Sequence, residues 1–301
     1  MTEAPAAYSR QAIFVGLFCY VFWGLTPLAF IAMGAAGASP WEILAHRALW
    51  SAPWAALLVF AAGRQGEVRA VLAEPRRLGL LLVSAAFIFS GWGLFVWSVN
   101  NGRNIEASLG YFITPLLNMA AGAVFFRERI DRLGLAAIAL AATGVLLQGI
   151  AIGHPPLIAL WLALSFWIYG LIRRQIAVEA QTGLLIETLF MILPGLAFVL
   201  WLGHGHGAIF GHNLGDSLLL MSAGPVTVAP LALFAWTARR MPLSVFGFLQ
   251  FISPTIGFFI GLAMGERLST LGVVSFAFIW CGSAVFMVGA LRAARRLHRQ
   301  A

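Results

Sequence analysis

Long apolar runs are the feature that most constrains what this chain can fold into. A helix needs about 20 apolar residues to cross the hydrocarbon core of a bilayer. The sequence contains ten runs of about this length, the sixth shorter than the rest. They cover approximately residues 13–33, 41–62, 78–99, 107–126, 133–152, 157–172, 184–203, 217–238, 243–264 and 271–291. The pattern predicts an all-α integral membrane protein with ten transmembrane helices and short loops.

Composition argues against a water-soluble protein, because 61% of the residues are apolar and only 10% are charged. The formal net charge is +8, but no basic stretch is interleaved with aromatic residues outside an apolar run. We therefore expect membrane lipid around the chain and no nucleic-acid partner.

The positions of the arginines predict the orientation in the membrane. All 19 basic residues are arginine. With a cytoplasmic N-terminus, 16 of them fall on the cytoplasmic side, Arg103 and Arg267 fall outside, and Arg47 lies within a helix. Because cytoplasmic loops are rich in Arg and Lys, both termini are expected in the cytoplasm. The cytoplasmic arginines, Arg173 and Arg174 included, are interpreted as topology signals and lipid contacts, reaching the interface by snorkelling.

An internal repeat relates the two halves of the chain. Residues 109–118 (LGYFITPLLN) and 247–257 (GFLQFISPTIG) share an Ile-Thr/Ser-Pro step, and each is followed by Glu-Arg and then Leu-Gly. Because each copy holds five helices, an odd number, the second copy must enter the membrane from the opposite side. The expected domains are residues 10–152 (helices 1–5), residues 156–292 (helices 6–10) and a basic cytoplasmic tail at 293–301. Inverted repeats of this kind are typical of secondary transporters that work by alternating access.

Four segments also carry a family resemblance: EILAHR at 42–47, EASLGYFITPL at 106–116, IAVEAQTGLLIET at 176–188 and GERL at 265–268. Together they resemble the RarD group of the EamA family, within the drug/metabolite transporter superfamily, over residues 10–292.

The resemblance implies a bacterial inner-membrane permease of two EamA repeats, with a central cavity lined mainly by helices 1, 3, 4, 6, 8 and 9. The name of the group is tied to chloramphenicol sensitivity, but the resemblance supplies no physiological substrate. One departure concerns the cavity, since Thr114 stands where such proteins often carry Asn before the proline of helix 4.

Ionisable groups inside a membrane helix cost about 2.5–3.5 kcal/mol each on insertion scales, so each needs a partner or a function. In helix 2, Glu42, His46 and Arg47 are expected to form a local ion network near the external end. Glu187 lies near the cytoplasmic end of helix 7. Glu106 opens helix 4, where a carboxylate complements the helix start. These five are the charged candidates for substrate or proton contacts, with packing or interfacial roles as the alternative.

Neutral, aromatic and proline residues supply the remaining candidates. Asn118 and Gln250 lie in the repeated elements and can bond between helices or to substrate. Mid-span prolines are expected to kink helices next to protein or a cavity. The prolines are Pro27, Pro115 and Pro254, and the candidate cavity aromatics are Trp23, Trp92, Trp97, Tyr111 and Tyr169.

The function expected is a permease or exporter of small organic metabolites or drugs, with proton coupling as one option. We expect a monomer without metal or cofactor. A facilitator or channel-like pore is the first alternative. An intramembrane enzyme is a weaker one, because no nucleophile with a base is found. His204, His206 and His212 lie in a glycine-rich external segment that is expected to be a flexible loop rather than a metal site.

Overall fold

The computed structural model describes residues 10–125, 132–238, 240 and 249–300, and its regular secondary structure over these residues is entirely helical. Twelve helices are described. They are α1 Arg10–Ala35, α2 Pro40–Ala61, α3 Gln65–Leu72, α4 Pro75–Asn100, α5 Asn104–Phe125, α6 Arg132–Ile152, α7 Leu157–Gln175, α8 Ala180–Gly203, α9 Leu214–Met221, α10 Ala223–Ala238, α11 Ile252–Ala263 and α12 Thr270–Gln300.

Eight segments of the described chain are long and apolar enough to cross a membrane. They are α1, α2, α4, α6, α7, α8, the α9–α10 segment and α12, and they match eight of the ten apolar runs. The fourth run forms α5, and the ninth contributes the shorter apolar helix α11. The first part of the ninth run, residues 243–248, lies outside the described residues. Glu128 and Arg129 of the repeat likewise lie outside them.

Two local differences from the expected pattern concern loops. A short helix, α3, forms in the segment expected to be a plain loop between the second and third runs. The tail expected from residue 293 continues α12 as helix to Gln300. Straight-chain and alanine residues with high helix propensity dominate both segments, which explains why helix forms there.

The chain divides into two compact units. The first comprises Met1–Gly24, Gly102–Leu164 and Trp236–Ala301, and the second comprises Leu25–Asn101 and Ser165–Ala235. Each unit therefore takes helices from both predicted repeats.

In the first unit, α5 packs on α11 and α6 packs on α12. Small residues allow these helices to approach closely. Gly257 and Gly261 of α11 lie against Ser108 and Ile105 of α5, so this face of α11 packs within the same chain. Phenylalanine side chains fill the core beneath, among them Phe112, Phe258 and Phe276.

In the second unit, α2 packs along α8, and α4 contacts both. Its core is made of apolar residues of α2, α4 and α8, with Trp92 and Phe89 of α4 in edge-to-face contact. The same unit holds most of the buried ionisable side chains of the described chain.

Candidate functional site

Glu187 lies in α8 with only 1% of its surface exposed. The Ser84 hydroxyl on α4 donates a hydrogen bond to its Oε1, and the Tyr169 hydroxyl on α7 lies 3.4 Å from its Oε2. The Nε of Arg173, also on α7, lies 3.8 Å from Oε1. Three helices therefore converge on one buried carboxylate. Because charge at a membrane-embedded position is costly, these partners make an ionised Glu187 tolerable.

Arg173 points inward to this carboxylate, with 13% of its side chain exposed. The expected role as a snorkelling lipid contact is therefore wrong for Arg173, while its neighbour Arg174 is exposed. The reason is local. Gly183 faces the Arg173 guanidinium so closely that a Cβ at position 183 would overlap it, and the Arg173 Nη2 donates to the Glu179 carbonyl at 3.4 Å.

The start of α8 is held by a second carboxylate, Glu67 of α3. Its Oε1 accepts the backbone N–H of Glu179 at 2.9 Å, and its Oε2 accepts the Thr182 hydroxyl at 2.7 Å. The Arg64 Nη2 pairs with the Glu179 carboxylate at 3.2 Å. The segment IAVEAQTGLLIET thus places four residues in polar or close contacts: Glu179, Thr182, Gly183 and Glu187.

Glu42, in the first turn of α2, is fully buried. Its Oε1 accepts the backbone N–H groups of Ile209 at 2.9 Å and Phe210 at 3.3 Å, and its Oε2 has no hydrogen-bond partner among the described residues. The hydrogen bonds of Glu42 therefore go to the segment after α8, and the expected network with His46 and Arg47 is not what they form. Residues five positions apart are about 140° apart around a helix, so Glu42 and Arg47 face different neighbours.

His46 is 1% exposed and accepts a hydrogen bond at Nδ1 from the Trp50 indole N–H at 3.1 Å. Since an indole N–H can only donate, the neutral ring of His46 carries its proton on Nε2. The ring also lies 4.5 Å from the ring of Phe210, centroid to centroid. Glu42 and His46 thus both contact the Ile209–Phe210 segment.

Arg47 is buried among aromatic rings of the second unit. Its guanidinium carbon lies 4.0 Å from the centre of the Trp92 ring and 5.2 Å from that of Phe30, and its Nε donates to the Thr227 hydroxyl at 2.8 Å. Stacking on aromatic faces suits a planar, weakly hydrated guanidinium. The candidate aromatic Trp92 therefore contacts a candidate cation.

The glycine-rich segment after α8 forms a loop of turns that is partly buried. Ala208 and Ile209 are buried, and the Nδ1 atoms of His204 and His206 lie 2.6 and 2.8 Å from carbonyl oxygens at the end of α8. The Ile209 and Phe210 N–H groups donate to Glu42, which satisfies backbone groups that the segment buries.

Glu106 lies in the first turn of α5 and pairs with Arg103 at 3.4 Å. The capping hydrogen bonds come from elsewhere, since Glu266 accepts the Asn104 N–H at 2.6 Å and the Ile105 N–H at 3.0 Å. Glu106 therefore occupies the favourable helix start as expected, while Glu266, which was assigned no role, caps the helix.

The other candidates are distributed over both units. Tyr169 contacts Glu187, as described above, and Pro254 lies in the first turn of α11, where a missing N–H disrupts no helical bond. Pro27 lies inside α1 and Pro115 inside α5, while the side chains of Pro115 and Asn118 are outside the described part. The half-buried candidates are Trp23, Trp97, Tyr111 and Gln250.

Sequence reasoning missed four residues of the second unit: Ser84, Arg173, Glu67 and Thr182. A signal existed for Arg173, because a buried Glu187 calls for a cation at similar depth on the same side of the membrane. Nothing in hydropathy or spacing singles out a serine of α4 as a partner of Glu187.

Comparison with known proteins identifies the class. The EamA-like transporter family matches residues 10–149. A protein of Vibrio cholerae named as an uncharacterized transporter is 40% identical over 293 residues, covering 97% of this chain and 96% of that protein. Protein RarD of Salmonella typhimurium is also 40% identical, covering 97% and 99%. A solved crystal structure shares the fold with a TM-score of 0.59 at 19% identity, covering 94% of this chain and 98% of that one.

The apolar helices and these relatives define a multi-pass membrane transporter. Within that class the chain belongs to the EamA family of the drug/metabolite transporter superfamily and is of the RarD type. The resemblance expected from the four sequence segments is thereby confirmed.

Proposed function

We propose that this chain is a secondary transporter that moves a small organic metabolite or drug by alternating access, with proton coupling through Glu187. The observation that carries the proposal is the buried carboxylate of Glu187 and its three partners on α4 and α7. An ionisable group at such a position marks a substrate or proton pathway by default.

The partners of Glu187 suit a group that changes its charge. Ser84 and Tyr169 present hydroxyls, which can donate to a carboxylate and accept from a protonated carboxyl. The distance of 3.8 Å to Arg173 is longer than a hydrogen bond, so the cation stabilises the charge without fixing the carboxylate in a bidentate pair. Both protonation states of Glu187 can therefore keep polar partners.

Helix packing supports two inverted repeats. Of the ten expected helices, the second packs on the seventh (α2 on α8), the fourth on the ninth (α5 on α11) and the fifth on the tenth (α6 on α12). Each pair joins corresponding members of the two copies, as a pseudo-two-fold axis predicts.

The contact between α6 and α12 supports the same relation at residue level. From Glu128 onward the two copies are offset by 138 residues in the sequence, so that Gly144 corresponds to Gly282. Both glycines contact equivalent positions of the partner helix: Gly144 lies against Ser275 and Ile279, and Gly282 lies against Ala137 and Ala141. Adding 138 to 137 and 141 gives 275 and 279. This exchange is the pattern of a self-complementary interface.

The full proposal places the protein in a bacterial inner membrane as a monomer, with both termini in the cytoplasm and residues 10–152 and 156–292 as its repeats. The arginine distribution supports the orientation. A facilitator or channel remains the second candidate, because it would also need polar residues inside its helices. Saturable uptake separates a carrier from a channel.

Uptake into proteoliposomes tests the proposal. Amino acids, nucleosides and chloramphenicol would be offered with and without a pH gradient, to wild type and to Glu187→Gln. Glu74→Gln is the matched control, since Glu74 forms a half-exposed pair with Arg77 in a loop-proximal turn.

A proton-coupled carrier gives saturable uptake that depends on the gradient in wild type and the control and fails in Glu187→Gln. Saturable uptake unaffected by gradient and substitution would leave a facilitator and remove Glu187 from the mechanism. Unsaturable flux would support the channel.

A further inference from the structure

Arg173 contacts two different parts of the second unit at once. Its Nε faces the buried carboxylate of Glu187, and its Nη2 donates to the carbonyl of Glu179 at the start of α8. A single guanidinium therefore links the membrane-embedded site to the turn between α7 and α8. We propose that Arg173 is the positioning residue through which the charge of Glu187 controls this turn, an inference that rests on the proposed function of Glu187.

The turn is a suitable element to control, because short-range contacts hold it together. Ile176 packs with Val71 and Ile186, and the N–H of Glu179 is bound by Glu67. Arg64 adds a partly exposed pair to the Glu179 carboxylate. Loss of Arg173 from the Glu179 carbonyl would remove the contact that connects this group to the interior.

Gly183 makes a slot for the guanidinium. A side chain at this position would occupy the space of the Arg173 head group. Since Gly183 and Glu187 are one turn apart on α8, the slot holds Arg173 next to the carboxylate. The segment IAVEAQTGLLIET thus contains the carbonyl, the slot and the charge that Arg173 uses.

The protonation state of Glu187 determines how many partners hold Arg173. With Glu187 ionised, Arg173 bridges its carboxylate and the Glu179 carbonyl. Neutral Glu187 no longer attracts the guanidinium, whose remaining acceptors, the Glu179 carbonyl and the Tyr169 hydroxyl, are neutral. The guanidinium is then held less firmly and the turn opens more often. On acidification, opening therefore increases.

Among the described residues, Arg173 is the charged partner of Glu187. From α7 come Arg173 and Tyr169, and α4 contributes the uncharged Ser84. Glu67 of α3 and Arg64, the residue before α3, act at the Glu179 turn, and Arg69 of α3 is exposed. On α2, Glu42 and His46 contact Ile209 and Phe210 after the other end of α8, and Arg47 contacts Trp92 and Thr227.

Hydrogen exchange measured by mass spectrometry on the full-length protein in detergent tests the proposal without any transported solute. The readout is the exchange of amides 176–183, with the 204–213 segment as internal reference. Arg173→Gln and Glu187→Gln should each speed exchange at 176–183 by roughly tenfold, which corresponds to about 1.4 kcal/mol. The double variant should equal the larger single effect, because one interaction is removed.

Two further variants test the slot. Gly183→Ala should open the turn as Arg173→Gln does. Gly203→Ala is its control on the same helix, since nothing lies within 4 Å of a Cβ built at position 203. If Arg173→Gln fails to fold, Arg173→Lys, which keeps the charge but loses the planar fork, replaces it in the cycle and should show a smaller effect of the same sign.

The pH profile separates control by Glu187 from a merely structural role. After correction for intrinsic exchange, opening at 176–183 should rise with acidification more strongly in wild type than in Glu187→Gln, which keeps the Glu67 contacts at the turn but has no carboxyl at position 187. Effects that multiply in the double variant, or an unchanged turn in Glu187→Gln, would overturn the proposal. Loss of coupled uptake without these exchange effects refutes Arg173 alone, whereas exchange effects without any uptake refute the transport proposal alone.

Discussion

Removing the Glu42 carboxylate should release the segment that follows α8. This side chain supplies the acceptor for two backbone N–H groups, those of Ile209 and Phe210, and the first of these bonds is buried. In Glu42→Ala both donors lose their partner. A buried donor left unsatisfied costs about 1–3 kcal/mol. Since Phe210 is only partly buried and its bond is longer, we expect roughly 2–4 kcal/mol in total.

Hydrogen exchange of the 204–213 segment measures this directly. A loss of 2–4 kcal/mol corresponds to an exchange rate raised by about 30- to 1,000-fold, up to the limit set by global unfolding. Glu42→Gln keeps one carbonyl oxygen that can still accept, so its effect should be smaller. The control is Glu74→Ala, which removes a half-exposed carboxylate and should leave the segment unchanged.

An unchanged exchange rate at Ile209 in Glu42→Ala would refute the reasoning. It would mean that water or another acceptor satisfies these N–H groups without cost. A rate raised equally along the whole chain would also refute it, because the substitution would then act on global stability.

Two further predictions concern the first unit. Gly110→Ala would place a Cβ 2.8 Å from the Ala159 carbonyl oxygen and should destabilise the protein by roughly 1–3 kcal/mol, measured as a lower thermal midpoint in detergent. Gly79→Ala is the control, because nothing lies near a Cβ at position 79, and it should be neutral or slightly stabilising. Glu266→Gln removes one of the two carboxylate oxygens that cap α5 and should cost about 1–2 kcal/mol in the same assay, and an unchanged midpoint would show that the cap contributes nothing to stability.

Hydropathy predicted most of the helices because each crossing requires its own apolar run. Hydropathy and residue spacing do not predict a contact that depends on tertiary structure. The arginine rule treats Arg173 and Arg174 alike, but only the first faces a glycine of α8 and a buried acid. A side chain's direction at a helix end depends on the neighbouring helix, which sequence spacing does not encode.

The ionisable candidates show the same division. Burial cost correctly singled out Glu42 and Glu187 as residues in need of partners. Identifying those partners required the fold, because the backbone N–H of Ile209 is 167 residues away and the Ser84 hydroxyl is 103 residues away. Sequence neighbours of Glu42 suggested an ion network, whereas a distant segment supplies its hydrogen-bond donors.

Hydrogen bonds to a carboxylate join α2 and α8 at each end of the helix pair. Glu42 at the start of α2 holds the segment after α8, and Glu67, after α2, holds the start of α8. With both contacts in place, α2 and α8 should move as one body during transport. Gly195 of α8 lies against Ala45 of α2, with 3.7 Å between a Cβ built at position 195 and the Ala45 Cα, so cysteines at these two positions are close enough for an oxidation test.

In a background with Cys19 and Cys281 replaced, Ala45→Cys/Gly195→Cys should therefore cross-link and keep the uptake of the reduced form. If oxidation abolished uptake and reduction restored it, α2 and α8 would have to separate in the cycle. The contacts of Glu42 and Glu67 would then form in one conformation of the cycle and break in another. The two residues would become gating residues at opposite ends of the helix pair.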